Sequence, residues 1–294
     1  SRSDRLVWSG DLWWAQPNMY AAFAPDSPYM PGSLRMLAEN QTPAGYVQAC
    51  PYPESHGPVA DGNYGPFQSD EFACWFVPVL WAHYLHTGDL GLVRELYPNV
   101  SRLMGYLSAH LRADGVFEQR AETSKHANDL AFGESSTHHR ALMNVLLWLT
   151  FRDAARLARA TGASADAERW ERQADQTAGA VRANFLLPSG LLCVSLEDRA
   201  VGGEANALAL GAGFFTFDEA KRALPLLPRI GHGKFQMLSV RGAFAYGAPD
   251  VALRRIADHG WLKIVDPDWK GMHTTTECMH HPTGGNWGDE CHPD

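Results

Sequence analysis

Beyond residue 30 apolar positions recur every three to four residues along most of the chain, the spacing of helices that bury one face. Ser33 to Asn40 predicts a short helix, and the Pro- and Gly-rich stretch from Thr42 to Phe67 predicts a long loop. Phe72, Trp75, Phe76, Val79 and Leu80 mark a helix from Asp70 to His86, closed by Thr87-Gly88-Asp89, with a kink expected at Pro78. Val93, Leu96, Tyr97, Val100, Leu103, Met104, Leu107 and Leu111 continue the spacing, and Pro98 is expected to begin the second of two helical pieces. The strongest stripe, Leu142, Leu146, Leu149, Ala154, Leu157 and Ala158, predicts a helix from Ser136 to Ala160 that stops at Gly162. A partner follows from Ala165 to Phe185. Shorter helices are expected at Ala205 to Leu210, Phe217 to Leu226, Phe235 to Tyr246 and Asp250 to Ala257, and only Leu191 to Leu196 reads as a strand.

Successive helices joined alternately by short turns and longer loops define an all-α chain of hairpins: a bundle, a solenoid or a closed toroid. The absence of a fixed-period repeat argues against a regular solenoid. Bulky loops between hairpins suit a toroid with one face carrying the site-building segments.

Composition narrows the function. With 294 residues and 45% hydrophobic content, the chain can bury a sizeable core. Its net charge of -8 and lack of basic runs disfavour nucleic acid and anionic membranes, so a neutral ligand fits best. No apolar stretch approaches the roughly 20 residues of a membrane span. Aromatics make up 11% of the chain, a surplus that carbohydrate stacking would use. The five cysteines are scattered without a CxxC pair, which indicates neither a disulfide framework nor zinc. The pairs His138-His139 and His280-His281 are adjacent, whereas helical metal sites space their ligands one turn apart, so no metal or cofactor is expected. Compartment and oligomeric state stay open.

Two segments carry candidate chemistry. Asp4-Arg5-Leu6-Val7-Trp8-Ser9-Gly10-Asp11 packs two carboxylates, a guanidinium and an indole around a glycine. An indole face can stack on a pyranose, Arg and Asp can bind its hydroxyls, and a second carboxylate can move a proton. The structural alternative is the start of a helix, with Asp11 as N-cap, Gly10 in the turn and Trp8 stapled into the core. The second segment runs from Trp269 through Thr274-Thr275-Thr276-Glu277 to Asn286-Trp287-Gly288-Asp289-Glu290-Cys291-His292. Dense in His, Trp and carboxylates and without helical or strand periodicity, it reads as a site-lining loop. Glycoside cleavage needs an acid beside the leaving oxygen and a second carboxylate across the ring, usually on different loops. Asp4 and Glu277 meet that requirement chemically. Asp70, Glu71, Glu134, Glu204, Asp289 and Glu290 could share the cleft, with the surface the expected place for Glu71 and Glu134.

The first segment resembles the acid-bearing motif of the α-L-rhamnosidases of glycoside hydrolase family 78, a carboxylate followed by Arg and then Trp-x-Gly-Asp. The resemblance places the general acid at Asp4 and substrate contacts at Arg5, Trp8 and Asp11. Thr274-Thr275-Thr276-Glu277 is similar to the family's Thr-rich approach to its general base, which falls on Glu277, and His292 corresponds to a downstream histidine that contacts the sugar. Tyr84-Leu85-His86-Thr87-Gly88-Asp89 resembles a turn between the family's hairpin helices. An (α/α)6 barrel and hydrolysis with inversion are implied. The family commonly has Glu where this chain has Asp4, and its aspartate upstream of the acid would precede Ser1. Residues 1–294 therefore read as one catalytic domain, an excerpt without the family's neighbouring β-sandwich domains.

The expected activity is inverting release of terminal α-L-rhamnose or a similar deoxysugar, with a carbohydrate or glycoside as the partner. Trp8 would pack on the sugar face while Arg5, Asp11 and His292 hold hydroxyls, and Trp75 is a further aromatic contact. Two alternatives remain open from the residues: a polysaccharide lyase or related toroid enzyme using Tyr64, Tyr246 and the His pairs, and a carbohydrate-binding toroid without turnover.

Overall fold

The structure, a computed structural model, describes residues 7–22, 27–51, 69–118, 140–230 and 233–258. The chain divides into two compact units, residues 1–128 with 146–180, and residues 129–145 with 181–294.

The first unit holds α1 (Ser9–Ala22), α2 (Tyr29–Glu39), α3 (Asp70–Thr87) and α4 (Leu90–Ala109), together with most of α5 (Ala141–Thr161) and α6 (Ser164–Phe185). α3 is its core helix. Ala73, Cys74, Trp75, Phe76, Val77, Val79 and Leu80 are all at 0% exposure, so the stretch from 73 to 80 is apolar and buried around its whole circumference. α1 packs on α3, and α2 packs on both α3 and α4. The Thr150 hydroxyl on α5 is 2.8 Å from the Leu146 carbonyl of its own helix and 3.3 Å from the Cys74 carbonyl on α3. Tyr97 on α4 donates to Asp166 on α6 at 2.8 Å, and Gln173 on α6 donates to the Ser108 hydroxyl on α4. Local side chains cap two of these helices: Ser69 accepts from the Phe72 amide and Asp89 from the Leu92 amide.

One expectation about proline needs correction. α4 runs unbroken from Leu90 to Ala109 with Pro98 inside it, where two helical pieces were expected. A proline removes one helical hydrogen bond, but Leu96, Val100 and Leu103 are buried on either side of Pro98 and hold the axis together. α1 is a helix that the periodicity does not announce, because Leu12, Trp14 and Gln16 are buried while Trp13 is half exposed and Pro17 lies within it.

In the second unit, α7 (Gly203–Ala212), α8 (Phe217–Ala223), a 3-10 turn at Leu224–Leu226, α9 (Gly233–Ala245) and α10 (Pro249–Asp258) follow one another. α9 packs against both α7 and α10. Thr216 and Glu219 form a capping box at the start of α8. Leu191 to Leu196, expected as a strand, makes only isolated bridges, Leu186 with Leu192, Cys193 with Val201 and Ser195 with Arg140. At Leu192 the Asn206 side chain accepts from the amide and donates to the carbonyl, where a strand neighbour would otherwise pair. Among the described residues, no helix is long and apolar enough to cross a membrane.

Candidate active site

Of the residues assigned to catalysis or substrate binding from sequence, Trp8, Asp11 and Trp75 are described, and all three belong to the first unit. Asp4, Arg5, Glu277 and His292 lie outside the described residues, as do Tyr64, Glu134, Asp289, Glu290 and both His pairs.

The site begins where the chain enters α1. The Leu12 amide donates to the Trp8 carbonyl at 3.0 Å, so Trp8 closes the first turn and Asp11 lies inside that turn. Asp11 is thus not the N-cap that the sequence suggests. The position still favours a carboxylate, because the amides of a helix start carry partial positive charge. Trp8 and Asp11 are both half buried, an exposure that lets a side chain be held by protein and still meet a ligand. The Trp8 ring stands edge-on to Phe72 with centroids 5.6 Å apart and 63° between planes. Beside Asp11 lies Cys50, whose thiol is pushed up to about 12, first by burial and then by the Asp11 charge. That thiol is held neutral.

Between Trp8 and Asp11, Ser9 is fully buried. Its amide donates to the Ala49 carbonyl at 3.0 Å, and its hydroxyl lies 2.6 Å from the Phe72 carbonyl and 3.3 Å from that of Ala49. Gly10 lies against Phe72 and Trp75 with no space for a side chain, since a Cβ would come 2.8 Å from the Phe72 ring.

α3 brings two acids to this region. Asp70 and Glu71 are at 0% and 1% exposure in its first turn, and Tyr106 donates to Asp70 at 3.1 Å. Glu71 is therefore buried, against the surface location expected from sequence. It enters the interior with a helix covered on every side, at the end where helix amides favour an acid. Tyr46, whose hydroxyl accepts from the Ser69 amide at 2.8 Å, packs edge-on to Tyr106 at 5.4 Å. Neither tyrosine has a sequence signal that sets it apart from ordinary core aromatics.

Trp75 is at 0% exposure, with Trp13 and Trp14 at centroid distances of 4.6 and 5.7 Å. Its neighbours are indoles, and a sugar would have to displace one of them to reach it. Trp13, half exposed, presents the more open surface of that cluster. In the second unit, Glu204 is buried in the first turn of α7, and Tyr246 donates its hydroxyl to the Phe215 carbonyl at 2.7 Å. Among the described residues no group of three His, Cys, Asp or Glu side chains gathers as metal ligands.

Residues 1–227 match the sequence model of the bacterial alpha-L-rhamnosidase 6 hairpin glycosidase domain. A search of curated proteins finds no match. Among solved structures, the chain is similar to a rhamnosidase from Klebsiella oxytoca with rhamnose bound, at a TM-score of 0.75 and 19% identity over 95% of this chain and 53% of that one. It is also similar to the GH78 family rhamnosidase of Bacillus sp. GL1, at 0.71 and 15% identity over 93% of this chain and 28% of that one. A GH63 mannosylglycerate hydrolase from Thermus thermophilus in complex with glucose follows at 0.62 and 14% identity, covering 89% of this chain and 85% of that one. The chain thus spans about half the length of the Klebsiella enzyme. These likenesses bear out the all-α helical-hairpin fold, of the (α/α) barrel class, expected from the sequence. The chain belongs to the bacterial alpha-L-rhamnosidase six-hairpin glycosidase family.

Proposed function

We propose that the chain is an inverting glycoside hydrolase that releases terminal α-L-rhamnose or a similar deoxysugar, with Asp4 as general acid and Glu277 as general base. The observation that carries this reading is the half-buried pair Trp8 and Asp11 at the start of α1, held in a chain that matches a rhamnosidase domain over residues 1–227. A solved structure with the same fold holds rhamnose.

In this mechanism Asp4, in its protonated form, gives its proton to the departing glycosidic oxygen. Glu277 is ionised and takes a proton from the water that attacks the opposite face of the anomeric carbon. Inversion needs about 6.5–9.5 Å between the two carboxyl groups to admit that water, whereas about 5–5.5 Å would give retention. Trp8 packs on the sugar face, while Arg5, Asp11 and His292 bind hydroxyls. Two carboxylates and a water suffice, so the reaction requires no cofactor. Residues 1–294 act together as one catalytic domain.

The test is hydrolysis of an aryl α-L-rhamnoside by the chain and by Asp4→Asn and Glu277→Gln. Each substitution removes one proton-transfer group and lowers kcat by about 10²–10⁴-fold. Unchanged turnover in both variants contradicts the assignment. A second reading, hydrolysis of another sugar, is favoured by the Thermus thermophilus mannosylglycerate hydrolase, which this chain matches over most of both lengths. Preference for an aryl mannoside or glucoside over the rhamnoside would select it.

A further inference from the structure

We propose that Ser9 is a positioning residue for the sugar site, one whose hydroxyl holds Trp8 and Asp11 in register with α3. The inference rests on the rhamnosidase reading for what Trp8 and Asp11 bind, and on the structure for how they are held.

The helices packed around this site start in different ways. α3 and α4 are capped by a local side chain, Ser69 or Asp89. At the start of α1, Ser9 makes backbone and side-chain hydrogen bonds to other parts of the first unit. The Ser9 amide is one of the amides that a helix start leaves without an internal partner, and it donates to Ala49 in the 46–51 segment. The Ser9 hydroxyl has one proton and two carbonyls in range, Phe72 at 2.6 Å and Ala49 at 3.3 Å, and the shorter contact takes the larger share. Ser9 thereby connects α1 to two separate elements.

Phe72 is the matching point on α3. Its carbonyl receives the Ser9 hydroxyl, its ring meets Trp8 edge-on, and the same ring closes over Gly10. Three consecutive residues of the motif therefore take their height from one residue of α3, and Asp11 follows within the same helical turn. Ring contacts have broad geometric preferences and tolerate a roll or slide of α1 by fractions of an ångström. The Ser9 hydrogen bonds are directional and fix that coordinate. A side chain at 0% exposure cannot touch the sugar, so its effect must pass through Trp8 and Asp11.

The experiment compares the wild-type chain with Ser9→Ala and Ser9→Thr, and with Ser9→Cys should the alanine variant fail to fold. Rhamnose dissociation constants and steady-state kinetics on an aryl α-L-rhamnoside are measured well below the unfolding midpoint, with amide hydrogen exchange along α1 and α3. Loss of one buried hydrogen bond is expected to weaken rhamnose binding and raise KM by about tenfold in Ser9→Ala. Most of that loss is recovered in Ser9→Thr, which keeps the hydroxyl. Exchange is expected to quicken in the first turn of α1 while α3 keeps its protection. A variant that only lowers the unfolding midpoint, with unchanged binding and evenly faster exchange, overturns the positioning role. Should the wild-type chain neither bind nor cleave rhamnosides, the sugar reading fails alone, and the exchange pattern still decides whether Ser9 holds the start of α1.

Discussion

Gly10 on α1 lies against Phe72 on α3 so closely that a Cβ at Gly10 would stand 2.8 Å from one ring carbon and 3.0 Å from the next. The glycine of the Trp-x-Gly-Asp motif is therefore required by packing between helices. Its backbone is not in the left-handed region that favours glycine in turns. Gly10→Ala is expected to destabilise the fold by about 1–3 kcal/mol through overpacking and to shift Trp8 with it. Urea unfolding gives the first effect and rhamnose affinity the second, and an unchanged midpoint would show that Phe72 yields without cost.

A similar close approach joins α7 and α9. A Cβ on Gly211 would meet Leu238 at 2.7 Å, and one on Gly242 would meet Leu210 at 2.8 Å with backbone carbon at 3.1 Å. At Gly211 all three nearest atoms are side-chain atoms of Leu238, Cδ2 first, whereas at Gly242 the Leu210 Cβ is followed by Leu210 backbone atoms, which cannot swing away. Both alanine variants are expected to lose stability, within about 1–3 kcal/mol, with Gly242→Ala losing more. Thermal unfolding of the two single variants reads the order directly.

His83 makes the fold sensitive to acid. It is at 1% exposure on α3, its Nδ1 lies 2.6 Å from the Tyr20 hydroxyl on α1, and its Nε2 lies 3.8 Å from Asp89. His86, stacked on Tyr20, is the other titratable ring facing this group. Burial lowers the His83 pKa below the ordinary histidine value of 6.5, outweighing the opposing pull of Asp89. The unfolded chain therefore binds this proton more readily than the folded one. The contribution is fully present above about pH 6.5 and is lost as pH falls through the depressed folded value. Denaturant titrations between about pH 5 and pH 8 are expected to show a smaller acid-side loss in His83→Gln than in wild type. Equal losses would assign the acid sensitivity to other groups.

Helix positions were legible wherever burial is one-sided. α6 was expected from Ala165 to Phe185 and runs from Ser164 to Phe185, and α5 ends at Thr161 beside Gly162, whose φ of +87° fits the predicted stop. α1 escaped the pattern because its buried positions mix Leu12 and Trp14 with Gln16, which donates to the Val79 carbonyl on α3. The continuity of α4 through Pro98 could not be read locally, since the compensating contacts come from other helices. At the site, Trp8 and Asp11 stood out as a motif. Ser9 and Phe72 did not, because the work of each is a tertiary contact across 63 residues of sequence. Glu71 was misplaced for the same reason: its burial follows from the packing of α3, which its own charge opposes.

The stereochemistry of cleavage tests the central claim most directly. Proton NMR of the first sugar released from an aryl α-L-rhamnoside, recorded before mutarotation equilibrates the anomers, distinguishes the two geometries of a carboxylate pair. The account predicts β-L-rhamnose first, with its appearance abolished in both Asp4→Asn and Glu277→Gln. Initial release of α-L-rhamnose, or unchanged β-L-rhamnose production by those variants, would contradict it.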